Sequence, residues 1–452
     1  MKIVIVGNGK TGYVLAESLS AENHDVTLID SDEDTLNNAA ERLDIMYMKG
    51  SGTSLSTLKQ ADAARAGVVI AVTSSDEINM LCCTTSKKLG AKRTIARIRA
   101  PEYVKDAETL GRQLEIDIVI NPERSAAHEI LRLIRFPAAV EIDEFYRGRV
   151  EIIGFRVRPE DGLTGIPLIE LRKKSKSPVL FCVVERGGEV MIPRGDFALE
   201  AGDLAYIAGK YSDIAKFFRI IGRSTGKAGN VMIIGGGRTG HYVAQVGAAI
   251  GLKPVIIERD EKRCAWLAED VPQATVICAD GTDQELLESE NIREMDFFAA
   301  LTDRDESNMI ISLLAQQCGV KKVITKVERP HYIPIAGSIG IDTIISPNEI
   351  TENLILHFVR GLSASRGGAV VSMRRLLDGR LEALEFIVGG DLLYLGEKIK
   401  NMKIKHGVLI AVISRGSKSI IPEGEDVLLE GDDVVIVTTY TGFDELNDIF
   451  DR

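Results

Sequence analysis

Val4-Ile5-Val6-Gly7-Asn8-Gly9-Lys10-Thr11-Gly12 returns 228 residues later as Met232-Ile233-Ile234-Gly235-Gly236-Gly237-Arg238-Thr239-Gly240. Each copy is a short apolar run that ends in three spaced glycines and opens a helical pattern. That order is a strand, a tight turn and a helix N-terminus, which together make a dinucleotide-type fingerprint. The first glycine allows the turn and the second lets a phosphate approach the backbone. The third packs helix on strand, and the phosphate sits on the helix N-terminus. A lone fingerprint is weak evidence; two copies in similar surroundings are much stronger.

The repeat continues outward from the glycines. Leu28-Ile29-Asp30 matches Ile256-Ile257-Glu258, and Ser51-Gly52-Thr53 matches Asp280-Gly281-Thr282. Ala71-Val72-Thr73-Ser74 matches Ala300-Leu301-Thr302-Asp303, Arg97 matches Lys326, and Asn121-Pro122-Glu123 matches Ser346-Pro347-Asn348. The segments between repeat too. Gly148-Arg149-Val150-Glu151 resembles Gly379-Arg380-Leu381-Glu382, and both copies later carry an Ile-Pro-x-Gly turn and a Gly-Asp pair. The organisation is A-B-A-B.

Within the first A unit, short apolar runs alternate with helical patterns, which predicts a parallel sheet with crossover helices. The strands are expected over Lys2–Val6, Asp25–Ile29, Ile45–Met48, Val68–Thr73, Thr94–Ile98 and Asp117–Ile120, in the order 3-2-1-4-5-6. Asp30 and Glu258 end the second strand of each copy, where a carboxylate accepts hydrogen bonds from ribose hydroxyls and repels a 2′-phosphate. They favour NAD(H) or adenine nucleotides over NADP. Lys10 and Arg238 place a cation in the glycine loop, where it either meets polyphosphate or is solvated. Arg97 and Lys326, at the end of strand five, either reach phosphate or pair with a helix of their own domain. Thr73-Ser74 and Thr302-Asp303 either line the cleft or cap the next helix.

Pro122 and Pro347 suit the first turn of a helix capped by Asn121 or Ser346. Each of these post-sheet helices has an apolar face that must bury against its own domain, the neighbouring B unit or another copy of A. The B units read as small α+β domains. Hairpins are expected over Val179–Val184 with Glu189–Ile192, and over Val408–Ile413 with Ser417–Ile421. Short helices are expected at Ile166–Arg172 and Leu395–Ile399, and the basic run Arg172–Lys176 reads as a solvated helix end.

The chain has 452 residues, a net charge of −11, 45% hydrophobic and 27% charged residues. At about 150 residues per domain that length suits about three domains, or two with smaller satellites. The acidic balance argues against general nucleic-acid binding. No stretch is long and apolar enough to span a membrane. The first strand does not read as a secretion signal, and the six cysteines lack metal or redox spacing, so a cytoplasmic chain is expected. None of the six histidines occupies a matching position in both repeats, and no acid/base apparatus is visible beside either cleft.

The arrangement resembles the tandem RCK (KTN) proteins over nearly the whole chain. The resemblance is carried by Gly7–Gly12, the Gly50–Thr53 and Asp280–Thr282 turns, the strand-four ends and the two C-terminal modules. It implies a fold class of two Rossmann-type parallel-sheet α/β domains (RCK-N), each followed by a small α+β domain (RCK-C). The expected bounds are 1–122 and 228–347 for RCK-N, 140–224 and 365–452 for RCK-C, with linking helices at 123–139 and 348–364. It implies NAD(H) and ATP or ADP as ligands and no catalysed reaction. It also implies a homo-oligomer, a tetramer or ring, docked beneath a TrkH-like potassium-translocating membrane subunit that it gates. The nucleotide positions would be Gly7, Asn8, Gly9, Lys10, Thr11, Gly12, Asp30, Gly52, Thr53, Thr73, Ser74 and Arg97. In the second copy they would be Gly235, Gly236, Gly237, Arg238, Thr239, Gly240, Glu258, Gly281, Thr282, Thr302, Asp303 and Lys326. Ser51 stands where the repeat has Asp280, and Arg99 where it has Glu328, so the two sites can differ in ligand. The competing readings are an NAD-dependent oxidoreductase and a Rossmann-based DNA regulator; no helix-turn-helix segment supports the latter.

Overall fold

The computed structural model describes the chain except residues 41, 105–106, 146–148, 176–178, 224–228, 342, 364–369, 378, 417, 441, 444 and 452. The expected hairpin-strand residue Ser417, the end of the basic run at Lys176 and the expected boundaries at 224, 228, 364 and 365 lie outside the described residues.

The first sheet contains β1 (Lys2–Val6), β2 (Asp25–Asp30), β3 (Met46–Lys49), β4 (Val68–Ala71), β5 (Arg93–Arg97) and β6 (Ile118–Ile120). All neighbouring pairs are parallel, in the order β3-β2-β1-β4-β5-β6. The central strands are apolar and buried on both faces, as a parallel sheet covered by helices requires. The first small sheet contains β7 (Ala139–Phe145), β8 (Val150–Arg156), β9 (Leu180–Arg186), β10 (Glu189–Met191) and β11 (Leu204–Gly209). It is antiparallel, in the order β10-β9-β11-β8-β7. The second large sheet repeats the first with β12 (Asn230–Ile234), β13 (Lys253–Glu258), β14 (Thr275–Cys278), β15 (Phe297–Ala300), β16 (Lys322–Lys326) and β17 (Ile344–Ile345). The second small sheet repeats the other with β18 (Val370–Leu376), β19 (Leu381–Ile387), β20 (Val408–Arg415), β21 (Lys418–Ile420) and β22 (Asp433–Thr438).

The chain divides into two compact units. Unit 1 comprises Met1–Ala127, Glu328–Pro330 and Ser346–Val359, and unit 2 holds the remainder. Unit 1 is therefore the first large sheet with part of the second post-sheet helix, Pro347–Ser363. Two hydrogen bonds attach that helix to Lys10–Ala21, the helix that follows the first glycine loop. Thr11 Oγ1 donates to Asn348 Oδ1 at 3.3 Å and Ser18 Oγ to Glu352 Oε1 at 2.8 Å. In unit 2, Leu131 of the first post-sheet helix, Pro122–Arg135, lies close to Gly247 of Arg238–Ala249, the helix after the second glycine loop. A Cβ on Gly247 would stand 3.5 Å from Leu131 Cδ2. Lys322 Nζ donates to Ala139 O, which ties β7 to β16. Each post-sheet helix thus contacts the glycine-loop helix of the other repeat.

Within unit 2 the two small sheets share one core. Val150, Ile152, Val183 and Tyr206 pack with Leu381, Ala383, Val412 and Val437. Reciprocal contacts close its edges: Arg149 donates to Gly416 O (3.0 Å) and Arg380 to Gly188 O (2.6 Å). The repeated Gly-Asp pair has a structural role. Asp203 accepts two hydrogen bonds from Arg186, and Asp432 two from Arg415, in planar fork geometry.

One expected element is absent. Leu395–Ile399 is not a helix; only a short 3-10 turn, Ile399–Asn401, forms there. The backbone amides of Gly396 and Ile399 donate instead to Leu428 O and Asp426 O, and Gly396 has φ +76°. The helix expected at Ile166–Arg172 of the first copy forms, over Leu168–Ser175.

Candidate nucleotide sites

In unit 1 the glycine loop follows β1 at the C-terminal edge of the sheet, where open α/β sheets bind ligands. Gly7 has φ +104°, and its amide donates to Ile29 O at 2.8 Å. Gly12 packs so closely that a Cβ there would lie 1.8 Å from Gly7 O. Gly9 faces open space, with nothing within 4 Å of where its Cβ would be. It is also the N-cap of Lys10–Ala21, and no side chain caps that terminus. The first amides of the helix are therefore available to an anion. Asp30 closes the cleft from β2: one carboxylate oxygen accepts from Asn8 N (2.5 Å), the other from Asp32 N (2.9 Å). Asn8 Nδ2 donates to Thr35 O at 2.6 Å, while its Oδ1 is buried without a hydrogen-bond partner among the described residues. Gly52 packs against Val6, with Thr53 beside it in a turn held by the Ser51 hydroxyl. Lys10 and Ser74 are exposed and Thr11 is buried.

Thr73 and Arg97 meet at the ends of β4 and β5. Arg97 Nη2 donates to Thr73 O at 2.8 Å. Ser75, not Thr73 or Ser74, caps the helix Asp76–Leu89. A residue that sequence reasoning missed organises this corner. Asn79 is fully buried; its Oδ1 accepts from Thr73 N and Thr73 Oγ1, both at 2.8 Å. Its Nδ2 donates to Arg97 O (2.8 Å) and Thr73 O (3.1 Å). Asn308 does the same in unit 2, accepting from Thr302 N (3.0 Å) and Oγ1 (2.6 Å) and donating to Thr302 O and Lys326 O. The signal was present: Asp76-Glu77-Ile78-Asn79-Met80 repeats as Asp305-Glu306-Ser307-Asn308-Met309.

The second cleft, in unit 2, has the same backbone. Gly235 has φ +100°, a Cβ on Gly240 would lie 2.1 Å from Gly235 O, and Gly237 faces open space at an uncapped helix N-terminus. Glu258 accepts from Gly236 N (2.7 Å), Arg259 N (2.8 Å) and Asp260 N (3.0 Å). Gly281 packs on Ile234, and Asp280 accepts from the amide and hydroxyl of Thr282, hydrogen bonds that hold its carboxyl below the usual range. Arg238 and Asp303 are exposed, while Thr239 and Lys326 are buried. Gly236 is crowded, with Leu267 and Glu258 against it.

The TrkA-N domain family matches residues 3–122 and 231–347, and the TrkA-C domain family matches 152–222 and 384–451. The chain belongs to the TrkA family. It is 34% identical over 458 residues to the Trk system potassium uptake protein TrkA homolog 1 of Methanosarcina mazei, covering 100% of both chains. Against the Trk system potassium uptake protein TrkA of Haemophilus influenzae it is 33% identical over 446 residues, covering 96% of this chain and 95% of that one. Among solved structures it is similar to the GsuK channel bound to NAD, with a TM-score of 0.62 and 19% identity, over 97% of this chain and 76% of that one. At that identity the likeness shows the fold alone. The tandem TrkA-N and TrkA-C domains agree with the expected repeat of a parallel-sheet domain and a small α+β domain. Among the described residues, no helix is long and apolar enough to cross a membrane, and no cluster of His, Cys, Asp and Glu suits a metal ion.

Proposed function

We propose that this TrkA-family chain is a cytoplasmic, nucleotide-sensing regulatory subunit that gates a potassium-translocating membrane partner of the TrkH type and catalyses no reaction. NAD(H) and adenine nucleotides occupy the two glycine-loop clefts through the residues set out above, with Asp30 and Glu258 on ribose and the loop amides on phosphate. One observation carries the reading: the hydroxyl of Thr11, inside the first phosphate cradle, is bonded to Asn348 on the post-sheet helix of the other repeat. A ligand at that cradle acts directly on an element that continues into unit 2. The similarity to Trk system potassium uptake proteins supports the potassium-transport role, and the GsuK structures bound to NAD and to ADP support the ligand class. Exposed apolar residues at matching positions, Leu81 at 51% and Ile310 at 68% exposure, support assembly into a tetramer or ring.

The test is calorimetry of the full chain with NADH, NAD, ATP and ADP, paired with light scattering. The expected result is saturable binding with a change in size or shape and no consumption of nucleotide. Asp30→Ala should weaken binding by about 1–3 kcal/mol, the worth of buried hydrogen bonds to a charged group. Unchanged affinity would remove Asp30 from the site. Steady oxidation of NADH would make the chain an oxidoreductase instead.

A further inference from the structure

The two glycine loops are held to the following helix in opposite directions. In unit 1 the loop reaches outward through Asn8 to Thr35 O. In unit 2 the position of Asn8 is Gly236, which has no side chain, and the helix Glu261–Asp270 reaches back. Arg263 holds the place of Thr35, five residues after the acid in each repeat. Its Nε donates to Gly236 O at 2.7 Å, and its guanidinium lies over the Trp266 ring, 4.1 Å from the centroid. Its Nη2 is buried and has no hydrogen-bond partner among the described residues.

This cation is under-compensated where it stands. Burial lowers the pKa of the guanidinium, and the charge of Arg238 acts in the same direction; Glu258, Asp270 and Asp260 oppose them. Glu258 already accepts from three backbone amides. A half-buried guanidinium with one buried, idle donor is stabilised by an added anion. It holds the residue just before Gly237, the second glycine of the fingerprint, at which phosphate approaches the backbone. We propose that Arg263 makes the second cleft selective for a nucleotide more anionic than NAD(H), a nucleoside triphosphate, whereas the first cleft, with Thr35 in that place, takes the dinucleotide. The proposal rests on the reading of both clefts as nucleotide sites.

Trp266 is the only tryptophan in the chain and touches Arg263, so its fluorescence reports the second cleft. The full chain is titrated with ATP and, separately, with NAD. ATP should perturb Trp266 at a midpoint about tenfold or more below that of NAD, the effect of one charge-assisted hydrogen bond. Arg263→Met keeps the stem over the indole and removes the charge. It should raise the ATP midpoint by about tenfold and leave the NAD midpoint within about twofold. Arg263→Lys should restore part of the preference; if the Met variant does not fold, Arg263→Gln repeats the test. Equal midpoints in the unaltered chain, or an ATP midpoint insensitive to Arg263→Met, would overturn the proposal. Tighter binding of both nucleotides by the Met variant would also overturn it, because Arg263 would then be a clasp that closes the cleft. Calorimetry separates the two levels. No heat with either nucleotide removes the nucleotide reading itself, whereas heat without discrimination at Trp266 removes only the role of Arg263.

Discussion

Replacing Asn79 with Ala tests whether one buried amide holds the ends of β4 and β5 at the cleft. The side chain makes four hydrogen bonds, to Thr73 N, Thr73 Oγ1, Thr73 O and Arg97 O, at 2.8–3.1 Å. Each is worth about 1 kcal/mol net, and a buried donor left without an acceptor costs about 1–3 kcal/mol. The Thr73 hydroxyl can turn to Ser75 O, which it also approaches at 3.2 Å, so not all four bonds are lost outright. The expected destabilisation is about 3 kcal/mol. Asn308→Ala should do the same in unit 2, an independent replicate within one molecule. Asn79→Asp sharpens the test. It keeps an acceptor for the Thr73 groups but turns a carboxylate oxygen toward the carbonyls of Thr73 and Arg97. A buried anion facing two carbonyls should cost more than the alanine. Its folded-state pKa would be raised, so the extra cost is present at alkaline pH and disappears as pH falls through that value. Urea unfolding followed by circular dichroism at pH 8 and pH 5 reads all three variants. Losses below about 0.5 kcal/mol for both alanine variants, or a pH-independent loss for the aspartate, would refute the reasoning.

Three further outcomes are expected. Gly12→Ala puts a Cβ 1.8 Å from a backbone oxygen that cannot move aside, so it should destabilise by about 3 kcal/mol or more. Gly9→Ala meets open space and should keep the fold to within about 1 kcal/mol while weakening nucleotide binding, a contrast readable by melting and calorimetry. Glu151 is buried on β8, paired across the strands with Glu144, and its Oε2 has no hydrogen-bond partner among the described residues. Burial first, then the Glu144 charge, push its carboxyl up to about 7, with Arg132 and Arg135 opposing. The folded chain therefore holds a proton that the unfolded chain has lost, and stability falls as pH rises from about 4.5 through about 7. Glu151→Gln should stabilise by about 1–3 kcal/mol at pH 8 and be neutral near pH 4 in urea titrations.

The six strands of the large sheet and their order were legible because glycine turns, apolar runs and helical patterns recur twice. The strand ends were less so. β4 stops at Ala71 rather than Thr73 because the Asn79 side chain takes the amide that a longer ladder would use. β20 runs on to Arg415, whose guanidinium is locked to Asp432 from elsewhere in the sequence. The helix expected at Leu395–Ile399 failed because its amides found carbonyls near Asp426 and Leu428, a pairing that local periodicity cannot show. Asn79 was recoverable from the repeat, since a polar residue recurs there on a buried helical face. Arg263 was not: reading two copies against each other favours what they share, and Arg263 differs from Thr35.

The scale of the contact between Thr11 and Asn348 bears on how such a chain could switch. A neutral hydrogen bond at 3.3 Å is worth about 1 kcal/mol at most. A nucleotide that draws the Thr11 hydroxyl to its phosphate can therefore shift a two-state equilibrium only about fivefold in a single chain. Moving a population from mostly closed to mostly open takes several kcal/mol. If four copies are forced to change together, the same contribution adds to about 4 kcal/mol, roughly a thousandfold. On the proposed reading, assembly is then a requirement of the mechanism, because one cradle is too weak a lever alone. The second cleft adds to this only if its own ligand favours the same state. Two clefts with different ligand charge would instead let the assembly compare two nucleotides, with the opposing shifts setting the balance.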